Sequence, residues 1–95
     1  MKPLSKNKSV NGTSFHQQTV TATLAELEKA FGPSTGGDGE KTNHEWEFET
    51  EQGDPFTIYD WKQGSFGKRD TIDWHIGAHT EEASIRAARQ VLARL

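Results

Sequence analysis

The segment Phe56-Thr57-Ile58-Tyr59-Asp60-Trp61-Lys62 decides how this chain folds, because it places aromatic side chains on both sides of one strand. Successive side chains of a strand point to opposite faces of a sheet. Phe56 and Ile58 therefore share one face, whereas Tyr59 and Trp61 share the other. A half-buried strand has a polar second face. The second pair of rings instead predicts an exposed surface that is suited to recognition.

Two neighbouring segments alternate in the same way and complete a sheet. His44-Glu45-Trp46-Glu47-Phe48-Glu49 separates two rings from three glutamates, and Ile72-Asp73-Trp74-His75-Ile76 separates three apolar residues from a carboxylate and an imidazole. The apolar sides together predict a core face made of Trp46, Phe48, Phe56, Ile58, Ile72, Trp74 and Ile76. The opposite face is predicted to carry Tyr59, Trp61, His75, Asp73, Glu45, Glu47 and Glu49.

Helix signals stand on both sides of these strands. Thr23-Leu24-Ala25-Glu26 is a capping box and Gly32-Pro33 is a stop signal, which together predict a helix over about residues 23–31. Thr80 is placed to cap a final helix. The buried stripe of that helix is predicted to be Ile85, Ala88, Val91, Leu92 and Leu95.

The order of elements predicts an α+β fold. It is a two-layer domain of helix, three-stranded antiparallel sheet and helix, with both helices on one sheet face. The domain is predicted to span residues 19–95. Residues 1–18 are polar and without periodicity, so we expect a flexible basic tail or a weak first strand there.

Composition limits the size of the core and the chemistry of the chain. The 95 residues are 32% hydrophobic, so the core must be thin and a homo-oligomer is the expected remedy. The absence of cysteine excludes disulfides and thiol nucleophiles, and it fits a reducing cytosol. The basic N-terminal residues lead into no apolar run, which predicts neither a signal peptide nor a membrane span.

The net charge of −3 conceals an acidic central block. Residues 38–60 contain eight carboxylates and a single lysine, whereas the segments on both sides are basic. One interpretation is a solvated face that keeps a small protein soluble. The other is an acidic surface that is directed at a basic partner. In the second interpretation the interacting residues are Glu45, Glu47, Glu49 and Glu51.

The paired rings Tyr59 and Trp61 are candidates for stacking against a flat ligand such as a nucleobase. The alternative is a second small core that the N-terminal tail or another subunit covers. In the ligand hypothesis the rings stack, His75 bonds the edge of the base, and nearby cations meet phosphates. The predicted ligand-binding set is Tyr59, Trp61, Lys62, Phe66, Lys68, Arg69 and His75.

Catalytic and metal sites are weakly indicated. His75 and His79, with Asp73 or His44, match no known metal-ligand spacing. Asp60 and Asp73 with His75 resemble a hydrolytic set, but no nucleophile accompanies them. Asp60 is more simply explained as the residue that ends its strand and accepts from backbone amides. We therefore expect no catalytic residue, no metal and no cofactor, and an enzyme is the third hypothesis.

Two motifs resemble small uncharacterised proteins of bacteriophages and large DNA viruses. They are Thr57-Ile58-Tyr59-Asp60-Trp61-Lys62 and Asp73-Trp74-His75-Ile76-Gly77, which follow a helix stop, Phe31-Gly32-Pro33. The likeness covers about residues 23–92, although Gly77-Ala78 stands where those proteins have a double glycine. The resemblance implies a mobile-element accessory protein that acts against host defence in the host cytoplasm. It implies no catalytic residue.

Two function hypotheses follow from these patterns. The first is a non-enzymatic counter-defence binder that sequesters a nucleotide-derived immune signal, with oligomerisation closing its pocket. The second is a protein-binding, anti-CRISPR-like inhibitor of a host defence protein, in which the row of glutamates mimics a nucleic-acid backbone. The stacking pair favours the first hypothesis and the carboxylate row favours the second. Neither involves a membrane.

Overall fold

The structure, a computed structural model, describes residues 1–95 and has an α+β fold with six strands and two helices. In chain order these elements are β1 (Lys2–Pro3), β2 (Ser14–Thr23), α1 (Leu24–Phe31), β3 (Thr35–Gly36), β4 (His44–Glu49), β5 (Pro55–Tyr59), β6 (Thr71–Ala78) and α2 (Glu81–Arg94).

The strands form one antiparallel sheet in the order β1-β4-β5-β6-β2, and β3 also pairs with β4. The prediction of three strands is therefore wrong. The largest omission is β2, in which Val20 and Ala22 are buried and alternate with exposed threonines. An edge strand needs few apolar residues, so its sequence resembles a polar tail. β2 also crosses the expected boundary between residues 18 and 19.

The core lies on the predicted face of the sheet. Trp46 and Trp74 meet edge to face with ring centroids 5.5 Å apart, and each indole N–H donates to a backbone carbonyl oxygen. Buried aromatic rings pack well in this arrangement. One apolar cluster joins this face to both helices, and its members include Trp46, Phe56, Ile58, Ile72, Trp74, Ile76, Leu24, Leu27, Ala83, Ala87, Ala88 and Val91. Phe48 is only partly buried against it.

Both helices begin at the predicted caps. Thr23 forms the capping box with Glu26, and the Thr80 side chain accepts from the backbone of Ala83. The predicted stripe of α2 is wrong in part, because Leu92 is 54% and Leu95 is 43% exposed. Small residues face the sheet instead and let the helix approach closely. Neither helix is long and apolar enough to cross a membrane.

Candidate functional site

The sheet face opposite the core carries two rows of side chains that run across four strands. Residues paired across neighbouring antiparallel strands share a face and stand about 5 Å apart. The first row is Glu45, Tyr59, His75 and Thr19, and the second is Glu47, Thr57, Gly77 and Phe15. Register therefore brings together side chains from the predicted acidic and aromatic sets.

Four rings on this face touch one another, and we call Phe15, Tyr59, Trp61 and His75 the aromatic cluster. Tyr59 lies edge-on to His75 at 5.4 Å and to Trp61 at 6.2 Å between ring centroids. His75 stacks on Phe15 at 3.9 Å and on Trp61 at 6.3 Å. The structure thus groups the three rings expected from sequence and adds a fourth, but β5 ends at Tyr59, so Trp61 lies beyond the strand that was predicted to carry it.

Phe15 joins the cluster because β2 bulges. Four steps of β2 from Phe15 to Thr19 face only two steps of β6, from Gly77 to His75. Gln17, inside this stretch, has a positive φ of 71°. Extra residues in one strand re-aim side chains, and here the bulge allows Phe15 to lie over His75. Nothing in the local sequence indicates a bulge at this point.

A groove of about 580 Å³ opens beside the aromatic cluster. Thr57, Gly77 and Tyr59 form part of its lining, together with chain segments at residues 10–14 and 36–38. A Cβ atom at position 77 would lie 2.6 Å from the hydroxyl oxygen of Thr57. Glycine at this position therefore leaves the Thr57 hydroxyl room at the groove.

Several polar groups at this face have no hydrogen-bond partner within the chain. Thr57 is only 5% exposed, and its hydroxyl is one of them. The Tyr59 hydroxyl and the His75 ring nitrogens are also unpaired. No fully enclosed side-chain polar atom lacks a partner, so the Thr57 hydroxyl keeps an opening to the groove. Polar groups held in this way are ready to bond a ligand.

Glu45 and Glu47 line the same groove and interact with each other. Burial, and then the nearby carboxyl group of Glu47, raise the pKa of Glu45 to about 7. Burial lowers the pKa of His75, with the Asp73 charge opposing the shift. At neutral pH the imidazole is therefore uncharged and Glu45 is about half protonated.

Two lysines stand over the ring of Trp61. The Nζ atom of Lys62 lies 5.6 Å and that of Lys41 lies 5.7 Å from the ring centroid. The backbone N–H of Lys62 donates to the Lys41 carbonyl oxygen at 2.7 Å, which holds the two loops together. Lys62 is a predicted site residue, whereas Lys41 was assigned no role by sequence. Only the contact between loops reveals it.

The remaining predicted ligand residues do not join this cluster. Phe66 packs on Trp74 and His44 on the core side of the sheet, with ring centroids 5.8 and 6.0 Å away. Lys68 pairs with Glu28 of α1 at 3.3 Å. Arg69 is exposed and makes no ion pair. The loop that carries them turns toward α1, where the Ala25 amide donates to the Lys68 carbonyl oxygen.

The predicted row of four carboxylates is divided by the fold. Glu49 is buried, and it accepts hydrogen bonds from the side chain of Lys8 at 2.8 Å and from the backbone and hydroxyl of Ser5. The bonds from Lys8 and then from Ser5 lower the pKa of Glu49 to about 2. Glu51 pairs with the amino group of Met1. Glu45 and Glu47 alone of the four line the groove.

Glu49→Gln is expected to loosen residues 5–13, the N-terminal segment that forms one wall of the groove from residue 10 onward. The substitution removes the charge that Lys8 and Ser5 contact, and bonds to a charged acceptor are about twice as strong as neutral ones. Amide exchange of residues 5–13 should accelerate about tenfold or more. Glu47→Gln, on the same strand but outside this contact, should leave their exchange unchanged. Equal exchange in both variants would show that other contacts hold the wall.

The residues of the metal and hydrolase hypotheses do not converge. His79 bonds the Ser9 carbonyl oxygen and His44 bonds the Ser34 hydroxyl, and neither bond involves a residue of the aromatic cluster. No three His, Asp or Glu side chains are grouped so as to hold a metal ion. Asp60 is buried and accepts from backbone amides, as the simpler interpretation predicts. Asp73 accepts from Thr21 at 2.6 Å.

The fold and the site define a small α+β domain with an aromatic cluster and an acidic groove on the sheet face opposite its core. No protein-family model, no curated protein and no solved structure matches this chain.

Proposed function

We propose that this protein is a non-enzymatic binder that sequesters a nucleotide-derived small molecule at the aromatic cluster and groove. The observation that carries the proposal is the nearly buried, unpaired hydroxyl of Thr57 beside the half-buried Tyr59 ring and the exposed Trp61 ring. Ligand pockets combine apolar surface with a few such polar groups, which fix the orientation of the ligand. Filling this groove gives the hydroxyl a partner and removes water from the rings.

The base of the nucleotide stacks on the cluster in this proposal. Trp61 is 37% exposed, and few large apolar side chains of the chain are as exposed. Stacking of a base on an aromatic ring stabilises a complex by about 1–3 kcal/mol. Tyr59 and His75 both pack against the Trp61 ring, so little side-chain freedom is lost on binding.

The phosphate of the ligand belongs at the Trp61 end of the site. Lys41 and Lys62 supply positive charge there. The groove itself is lined by Asp38, Glu45 and Glu47, whose negative charges repel an anion. The ligand therefore lies with its phosphate toward the lysines and its base toward the carboxyl groups.

The biological role in this proposal is counter-defence in the cytoplasm of an infected host. It rests on the resemblance of the two strand motifs to proteins of bacteriophages and large DNA viruses. Sequestration requires stoichiometric capture and release of unchanged ligand. A second copy of the chain over the groove would exclude water from it, which makes a homo-oligomer part of the proposal.

A nucleic-acid-mimicking inhibitor remains the second candidate, and the carboxylates of Glu45 and Glu47 favour it. Burial of Glu49 and the pairing of Glu51 reduce the exposed acidic row on which it depends. Exposed, regularly spaced charges are needed to imitate a phosphate backbone. The aromatic cluster has no role in such a mimic, so nucleotide capture accounts for more of the site.

Titration calorimetry against linear and cyclic nucleotides tests capture. Trp61→Ala is expected to weaken binding about tenfold or more, because it removes the stacking surface. Lys41→Glu with Lys62→Glu should abolish measurable binding of phosphorylated ligands. The controls are Leu92→Ala for an exposed apolar side chain, and Lys29→Glu with Arg89→Glu for two exposed charges away from the site. They should bind like the unmodified protein.

Two results would reject this function. One is the absence of heat with every nucleotide for a folded, unmodified protein. The other is equal binding by the Trp61→Ala variant and its Leu92→Ala control. Recovery of a chemically altered ligand after incubation would instead indicate an enzyme.

A further inference from the structure

The charged side chains that line the groove are all carboxyl groups. No Lys, Arg or His side chain lines it, whereas Asp38, Glu45 and Glu47 do. One oxygen of Asp38 already accepts the backbone N–H groups of Glu40, Lys41 and Thr42 at 2.8–3.0 Å, which fixes this carboxylate to its own loop. The carboxyl groups of the lining that accept no backbone N–H are those of Glu45 and Glu47 on β4.

These carboxyl groups stand beside the stacking surface. Glu45 is paired directly across the strands with Tyr59, and Glu47 is paired with Thr57. The nearly buried and unpaired Thr57 hydroxyl lies at the same place and independently indicates a ligand. A base that stacks on the aromatic cluster thus presents its hydrogen-bonding edge to the carboxyl groups of Glu45 and Glu47.

We propose that the groove selects a guanine-type base, whose adjacent ring N–H and amino N–H groups donate to the carboxylates of Glu45 and Glu47. The inference rests on the proposed nucleotide capture and names the base. A carboxylate accepts two parallel N–H bonds well. Guanine presents two such donors side by side, whereas adenine presents one amino donor beside a ring acceptor. Hypoxanthine keeps the ring N–H and lacks the amino group.

Guanine recognition in this form depends on pH. The bonds need Glu45 ionised, and its pKa of about 7 means that bound guanine displaces a proton near neutral pH. The other titratable or charged groups that face the site are Glu47, Asp38, Tyr59 and His75, with Lys41 and Lys62 at its Trp61 end. A protonated Glu45 instead offers a donor and an acceptor, which suits adenine. Guanine binding should therefore strengthen from pH 6 to pH 8, and adenine binding should weaken.

The test compares guanosine, inosine and adenosine 5′-monophosphates by calorimetry at pH 6 and pH 8. At pH 8 the guanosine nucleotide is expected to bind about tenfold more tightly than the inosine nucleotide, because the lost amino group removes one charge-assisted bond. Its advantage over the adenosine nucleotide should be larger than tenfold. Runs at pH 7 in two buffers of different ionisation enthalpy should show net proton release with guanosine. Glu45→Gln should remove both the preference and the proton release. Glu40→Gln, an exposed carboxyl on a neighbouring loop, should change neither.

The outcomes separate this inference from the proposed function. Equal binding of the three nucleotides, with loss in Trp61→Ala, would overturn the guanine assignment and leave nucleotide capture intact. If the adenosine nucleotide at pH 6 bound more tightly than the guanosine nucleotide at pH 8, the guanine assignment would also be overturned and nucleotide capture would stand. Binding of arginine amide without any nucleotide would assign the carboxyl pair to the guanidinium group of a protein partner. No binding by any probe would reject both proposals.

Discussion

Trp74→Ala is expected to leave this protein largely unfolded, because it removes about 3–5 kcal/mol from the free energy of unfolding. Trp74 is completely buried. Its ring meets those of Trp46 and Phe66 edge to face at 5.5 and 5.8 Å, and its indole N–H donates to the Ala22 carbonyl oxygen at 3.0 Å. Small domains have only about 5–15 kcal/mol of total stability, so one such loss is decisive.

Urea unfolding followed by circular dichroism measures this loss. Trp61→Ala is the matched control, since it removes the same side chain from an exposed position and should change stability by less than about 1 kcal/mol. Trp74→Phe keeps a ring in the core and should fall between the two. If the midpoint for Trp74→Ala matches that for Trp61→Ala, the assignment of the core face is wrong.

Asp60→Ala is expected to have the second largest effect, a loss of about 2–3 kcal/mol. The Asp60 carboxylate is buried at the end of β5. It accepts the backbone N–H groups of Asn43 and His44 at 2.9 and 2.8 Å, and the Asn43 side chain at 3.1 Å. Removing the acceptor leaves several donors without partners. These bonds also fix the loop that carries Lys41, so nucleotide binding should weaken as well.

Stability, amide exchange and nucleotide affinity should change together in this variant. The Asn43 and His44 amides should exchange faster in Asp60→Ala while β6 remains protected. Asp60→Asn keeps one oxygen acceptor and nearly the same volume, so its loss should be smaller. Asp73→Ala, which removes an exposed carboxylate bonded to Thr21, is the control for charge. Full stability and unchanged affinity in Asp60→Ala would show that the loop is held without it.

Local patterns were enough to predict the elements that each bury one clear side. The alternation around Trp46, Ile58 and Trp74 predicted three strands and their core face, because a side-chain period of two is visible within a few residues. The caps at Thr23 and Thr80 predicted where both helices begin, because a cap is a contact between residues three positions apart. The grouping of Tyr59 and His75 followed from the phase of the same strands, whereas Trp61 lies beyond the end of β5.

The sequence by itself therefore determined the α+β class, three central strands, two helix starts and an aromatic face. Tertiary structure alone decided that β2 pairs with β6 and brings Phe15 to His75 through a bulge. It also decided that Lys41 reaches Trp61 and that Glu49 is enclosed by the N-terminal segment. These contacts join residues far apart in the chain. Their energies depend on register and loop closure, which no local period of side chains encodes.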